Sequence, residues 1–214
     1  MIWLRWSQTH WWVQIWLVND SHGVSLVPSY AAQNRAGTLK PAARASVELA
    51  PGMLATLAVN GAMGWGPPAA FLATDKTIER AQQFGVGAAV IRQCQYIGRV
   101  GQYTERIAAQ DLIGIVTCNS SSGVAPFDRK QTMLGTNPIA IAVPRQGNQA
   151  PVLFDESTSV VAGNKRCAAA DERSQGIWVG CHDRTAGTAA FRCLGCVSAR
   201  FCGWQRSVGH GNSA

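Results

Sequence analysis

The residues best able to do chemistry sit in three short stretches. Asp20-Ser21-His22-Gly23-Val24 sets a histidine between a hydroxyl and a glycine, in a loop ahead of Pro28. Such an imidazole is available for proton transfer near neutral pH, and Gly23 would let a substrate approach the backbone closely. Thr117 to Gly123 is a polar loop whose run Asn119-Ser120-Ser121-Ser122 offers hydroxyl and amide hydrogen bonds to a phosphate or a ribose. Asp155-Glu156-Ser157-Thr158-Ser159 closes the apolar run Val152-Leu153-Phe154, and acids and hydroxyls at a strand's carboxyl end suit a ligand's hydroxyls. Each stretch also has a plainer reading: an exposed histidine, a connector, and a helix N-cap made by Ser157 or Thr158.

The elements that must position these residues follow from hydrophobic pattern. Ala55 to Val59, Ala88 to Ile91, Leu112 to Val116 and Ile139 to Val143 are short apolar runs bounded by turn residues, which predicts buried strands. Ala69 to Gln83 and Tyr103 to Gln110 carry helical spacing. Ala31 onward begins helical and ends at Gly37, with Pro41 following. Ile139 to Val143 and Val152 to Phe154, joined by a polar loop after Pro144, predict a hairpin. Strands alternating with helices make the chain α/β. Gly85-Val86-Gly87 superficially resembles a dinucleotide fingerprint. Those glycines precede a strand and open no helix, so no Rossmann phosphate loop is predicted.

Composition narrows the classes. At 214 residues, 47% hydrophobic and 14% charged, the chain is long enough for a sizeable core and is not of disordered type. The net charge of +7 is scattered, with Arg129-Lys130 and Lys165-Arg166 the densest pairs, so no nucleic-acid arm is expected. Small anionic substrates suit that charge. No apolar run reaches the ~18 residues of a membrane span. With seven cysteines, an odd number concentrated in the last quarter, no disulfide framework is inferred, and a cytoplasmic protein is expected. Cys193-Leu194-Gly195-Cys196 has zinc spacing, with Cys181, His182 and Cys202 as further donors. It lacks a second C-x-x-C pair, so no metal centre is expected.

In order, the blocks DSHGV with PSY, NG and GWG, GVGAAVIRQCQYIGRVGQYTERIAAQDLIGIV, NSSSGVAPF, LGTNPIAIAVPR and FDESTSVVAGNK resemble the type-2 malate/L-lactate dehydrogenase family, which includes ureidoglycolate dehydrogenase. The resemblance runs from about residue 20 to residue 165. It implies a non-Rossmann fold, here incomplete, and hydride transfer between NAD or NADP and a 2-hydroxy or 2-keto acid. It also implies a homodimer. Ser21 and His22 match the motif that faces substrate, and Tyr96 stands where the family usually has the histidine that accepts the proton. Ser120, Thr136, Asn137, Asp155, Glu156 and Ser157 match positions at or beside the cofactor. Leu26 stands where many members carry a carboxylate-binding arginine.

Outside that core the expectation is different. Residues 1–19 hold five of the eight tryptophans where the family has an ordinary amphipathic helix. Residues 167–214 show no strand or helix period and are rich in Cys, Arg, Gly and Trp, as products of an out-of-frame reading are. The chain therefore divides into an atypical segment 1–19, a partial oxidoreductase domain 20–166 and an irregular, poorly ordered tail 167–214. The second functional reading is a catalytically inactive fragment that retains cofactor binding or subunit pairing.

Overall fold

The computed structural model describes residues 24–48, 52, 54–125, 131–147 and 149–158, together with the backbone of 191–200. A 3-10 turn at Val24–Leu26 leads into helix α1, Val27–Arg35, and Gly37 follows at φ 71, in the region that favours glycine. Strands β1 (Ser46–Glu48) and β2 (Thr56–Asn60) precede helix α2 (Gly66–Phe84) and strand β3 (Val86–Cys94). Helix α3 (Gly101–Ala108), β4 (Leu112–Thr117), β5 (Ile139–Val143), β6 (Val152–Glu156) and β7 (Phe191–Arg200) complete the order.

The strands form a seven-stranded mixed sheet in the order β1-β2-β3-β7-β4-β5-β6. β2 and β3 are parallel, as the intervening α2 requires, because parallel neighbours need a crossover connection. The predicted hairpin is present, with Ile139 opposite Glu156 and Val143 opposite Val152. The α/β class is borne out.

Sequence alternation decides which face is covered. Leu57 and Val59, Ala89 and Ile91, Leu112 and Val116, and Ala140 and Ala142 are buried on one face, under α2 and α3. The helices answer with narrow buried stripes, small on α2 (Ala69, Ala70, Ala73 and Ala81) and bulkier on α3 (Tyr103, Ile107 and Ala108). Thr74 and Thr77 sit inside the α2 stripe without cost because their hydroxyls bond the carbonyls of Ala70 (2.8 Å) and Ala73 (2.7 Å). Tyr103, fully buried, stacks edge-on against Phe71 at 4.9 Å between ring centres. On the opposite face Val86, Val90, Val152 and Phe154 are exposed.

Three features differ from the sequence reading. Helix α2 begins at Gly66, ahead of the helical spacing that starts at Ala69, so Pro67 and Pro68 form its first turn. The first-turn amides of a helix have no partner within it, and proline loses nothing there. β1 is a three-residue strand with no local period, created by antiparallel pairing with β2. The tail 167–214 is not irregular throughout. Its residues 191–200 form β7, antiparallel to both β3 and β4 in the middle of the sheet. Backbone pairing on both sides supplies the hydrogen bonds of a central strand whatever the side-chain pattern. Residues 1–19 and the rest of the tail, with Cys181, His182 and Cys202, lie outside the described residues.

Candidate functional site

The hydroxyl-rich residues converge where β4 ends and the hairpin begins and ends. Ser120 Oγ and Thr136 Oγ1 are 3.0 Å apart. The Ser120 amide donates to Asn137 Oδ1 at 3.1 Å, and the Asn137 amide donates back to Ser120 Oγ at 3.3 Å. The Thr136 carbonyl then accepts from Ser157 Oγ (3.1 Å), Thr158 Oγ1 (2.9 Å) and the Thr158 amide (2.9 Å). Four of the predicted residues, spread from position 120 to position 157, are thus tied into one knot. Two backbone features allow it. Asn137 holds φ 36 ahead of Pro138, a conformation asparagine tolerates better than most residues and one that clusters at functional sites. A Cβ on Gly135 would stand 2.3 Å from the Ser120 carbonyl oxygen, so only glycine lets these two loops meet.

The two acids separate. Strand alternation turns Asp155 toward α3, where its Oδ2 accepts from Arg99 Nη1 (3.1 Å) and the Gly101 amide (3.2 Å). Glu156 is exposed and makes no ion pair among the described residues.

Tyr96 lies in the loop between β3 and α3. That loop is pinned by Gln95 Nε2 on the Thr38 carbonyl (2.6 Å), by the Tyr103 hydroxyl on the Ile97 carbonyl, and by Arg99, whose Nη2 also meets Glu105 Oε2 at 2.5 Å. Burial pushes the Tyr96 hydroxyl well above the usual tyrosine range, and neighbouring Tyr30 and Cys118 push it further. Tyr30, on α1, is raised in the same way by burial and Cys94, and packs edge-on against Trp65 at 5.0 Å. Cys94 is raised by burial and by Cys118. Cys94 and Cys118 are free thiols. The phenol at Tyr96 is a donor at neutral pH and not a base.

Because these folded-state values lie above the unfolded ones, the groups support the fold fully below about pH 8, short of the ordinary thiol and phenol values. That support is lost as pH rises toward the folded values, at up to ~1.4 kcal/mol per pH unit per group. Urea unfolding at pH 7, 8 and 10.5 is expected to show nearly equal stability at the first two and a clear fall at the third. Equal midpoints at all three would show that these groups are not buried as neutral species.

Ser21 and His22 lie outside the described residues. Sequence reasoning missed Arg99, Tyr30, Trp65 and Cys118 as neighbours of the site. Only the arginine carried a usable signal, a lone cation in an otherwise apolar loop opening a helix. Among the described residues no group of three His, Cys, Asp or Glu side chains is arranged to hold a metal ion. No described helix is long and apolar enough to cross a membrane.

The sequence model of the malate/L-lactate dehydrogenase family matches residues 18–177. The chain belongs to that family. Among its relatives, the L-sulfolactate dehydrogenase of Methanocaldococcus jannaschii is 33% identical over 145 residues, 68% of this chain and 41% of that protein. The (2R)-3-sulfolactate dehydrogenase (NADP(+)) of Chromohalobacter salexigens is 36% identical over 145 residues, 68% of this chain and 42% of that protein. The crystal structure of malate dehydrogenase from Entamoeba histolytica superposes with a TM-score of 0.59 at 30% identity, covering 66% of this chain and 39% of that one. The malate/L-lactate dehydrogenase fold is therefore present in part. The chain spans about two fifths of the length of these relatives. The family match ends before β7, so that strand lies beyond the matched segment.

Proposed function

We propose that this family member is an NAD(P)-dependent oxidoreductase that interconverts a malate- or lactate-like 2-hydroxy acid and its 2-keto acid. The observation that carries the reading is the knot of Ser120, Thr136, Asn137 and Ser157, joined through Asp155 and Arg99 to the loop holding a half-buried, protonated Tyr96. The donor set fits part of a nicotinamide dinucleotide. Hydroxyls and an exposed carboxylate, Glu156, suit ribose hydroxyls and a carboxamide. When bound, the nicotinamide supplies or takes the hydride at the substrate's C2.

The chain's own residues orient the reactants and handle the proton. Tyr96 donates it to the developing alkoxide in the reductive direction, consistent with its raised pKa. Ser21 and His22 face the substrate in this reading, with the net positive charge favouring an anionic acid. The working form is a cytoplasmic homodimer.

A second reading is supported by the same tyrosine, a phenol that does not serve as a base at neutral pH: the chain binds cofactor or pairs with another subunit and does not turn over. NADH oxidation followed at 340 nm over a panel of 2-keto acids ending in methyl, carboxylate and sulfonate groups tests the first. NADH titration by fluorescence separates the two. Turnover of any panel member establishes the oxidoreductase, and binding without turnover establishes the silent form. No binding and no turnover defeats both as cofactor proteins.

A further inference from the structure

We infer that Arg99 and Asp155 are positioning residues that lock the Tyr96 loop to the cofactor side of the site. The inference deepens the oxidoreductase reading and rests on it for its catalytic meaning. Asp155 Oδ2 receives two donors that come from one side, Arg99 Nη1 at 3.1 Å from the Tyr96 loop and the Gly101 amide at 3.2 Å from the first residue of α3. On the other side Asp155 is continuous with Ser157 and Thr158, which hang on the Thr136 carbonyl. One carboxylate oxygen therefore joins the proton-donor loop, the start of α3 and the hydroxyl knot, across 56 positions of sequence.

Burial distinguishes this pair from the others. The Arg99 and Asp155 side chains are 19% and 18% exposed, whereas both partners in Lys76–Glu79, Arg92–Glu48 and Arg106–Asp75 are 40% exposed or more. Those surface pairs are screened by water and hold little, while a half-buried, charge-assisted pair fixes geometry. Glycine at position 101 is a separate observation. A Cβ there would stand 2.3 Å from Asp155 Oδ2 and 2.6 Å from Arg99 Nη1. The residue that opens α3 carries no side chain where the clamp passes. Displacing a reacting group by ~1 Å costs on the order of 10²-fold in rate, so a clamp between donor and cofactor is where such precision would be set.

The test uses the full chain carrying 3-fluorotyrosine, whose three tyrosines, Tyr30, Tyr96 and Tyr103, give three ¹⁹F resonances. Tyr96→Phe and Tyr30→Phe assign them. Asp155→Asn, Arg99→Lys and Gly101→Ala break the clamp from three directions, and Glu79→Gln serves as the surface control. The expected result is a shifted or broadened Tyr96 resonance in all three variants with Tyr30 unmoved, and a tenfold or greater loss of NADH affinity. Arg99→Lys combined with Asp155→Asn should do no more than either alone. An unmoved Tyr96 resonance in whichever of these variants folds overturns the inference. If the unsubstituted chain binds no NADH, the oxidoreductase reading fails, and the ¹⁹F result still decides whether the clamp holds the loop.

Discussion

Gly66→Ala is expected to destabilise the fold by about 3 kcal/mol, at the upper end of what overpacking costs. A Cβ at position 66 would stand 2.1 Å from the Tyr96 carbonyl oxygen and 2.3 Å from that of Gln95. Both atoms are backbone, so no side chain can swing aside. Either the first turn of α2 lifts from the sheet or the Tyr96 loop is driven outward against its anchors on Thr38 and Asp155. Gly85→Ala is the matched control. It closes the same helix at φ 83 with nothing within 4 Å of a new Cβ, so only the backbone penalty of about 1–2 kcal/mol applies. Urea midpoints of the two variants check the difference. Equal losses would mean that α2 and the loop are not packed as described.

On the oxidoreductase reading proposed above, replacing Tyr96 by phenylalanine is expected to lower keto-acid reduction by roughly 10²-fold or more, the usual share of a general acid. Tyr96→His should keep or raise the rate at pH 6 and change its pH dependence. With tyrosine the acid stays protonated throughout the neutral range, because burial holds its pKa high, so reduction is flat from pH 6 to 9. With histidine only the imidazolium can donate. Reduction then falls as pH rises through a pKa near ~6.5, lowered further by burial. Initial rates over pH 5.5–9 for the three proteins check both statements. A phenylalanine variant as fast as the parent would remove Tyr96 from the chemistry.

Legibility in the sequence followed locality. Ile139 to Val143 and Val152 to Phe154 were readable as a hairpin because alternation and a bounding turn are local signals. The α2 stripe was readable from its spacing, but its start was not. Pro67 looks like a loop residue until the chain that follows it is known to be helical. β1 and β7 had no signal of their own, since a strand of three residues or an irregular pattern becomes a strand by pairing with a neighbour far along the chain.

The same division holds at the site. The sequence by itself determined the family, the hydroxyls of Ser120, Thr136 and Ser157, and a tyrosine where a base was expected, because residue types in order are chemistry written locally. Tertiary structure decided that Asn137 and Ser120 exchange hydrogen bonds, that Asp155 turns inward to Arg99 while Glu156 turns to solvent, and that Tyr96 is half-buried beside Tyr30 and Cys118. Those outcomes depend on register, where one residue of offset reverses the face a side chain occupies, and on desolvation, which exists only once distant segments close over a group.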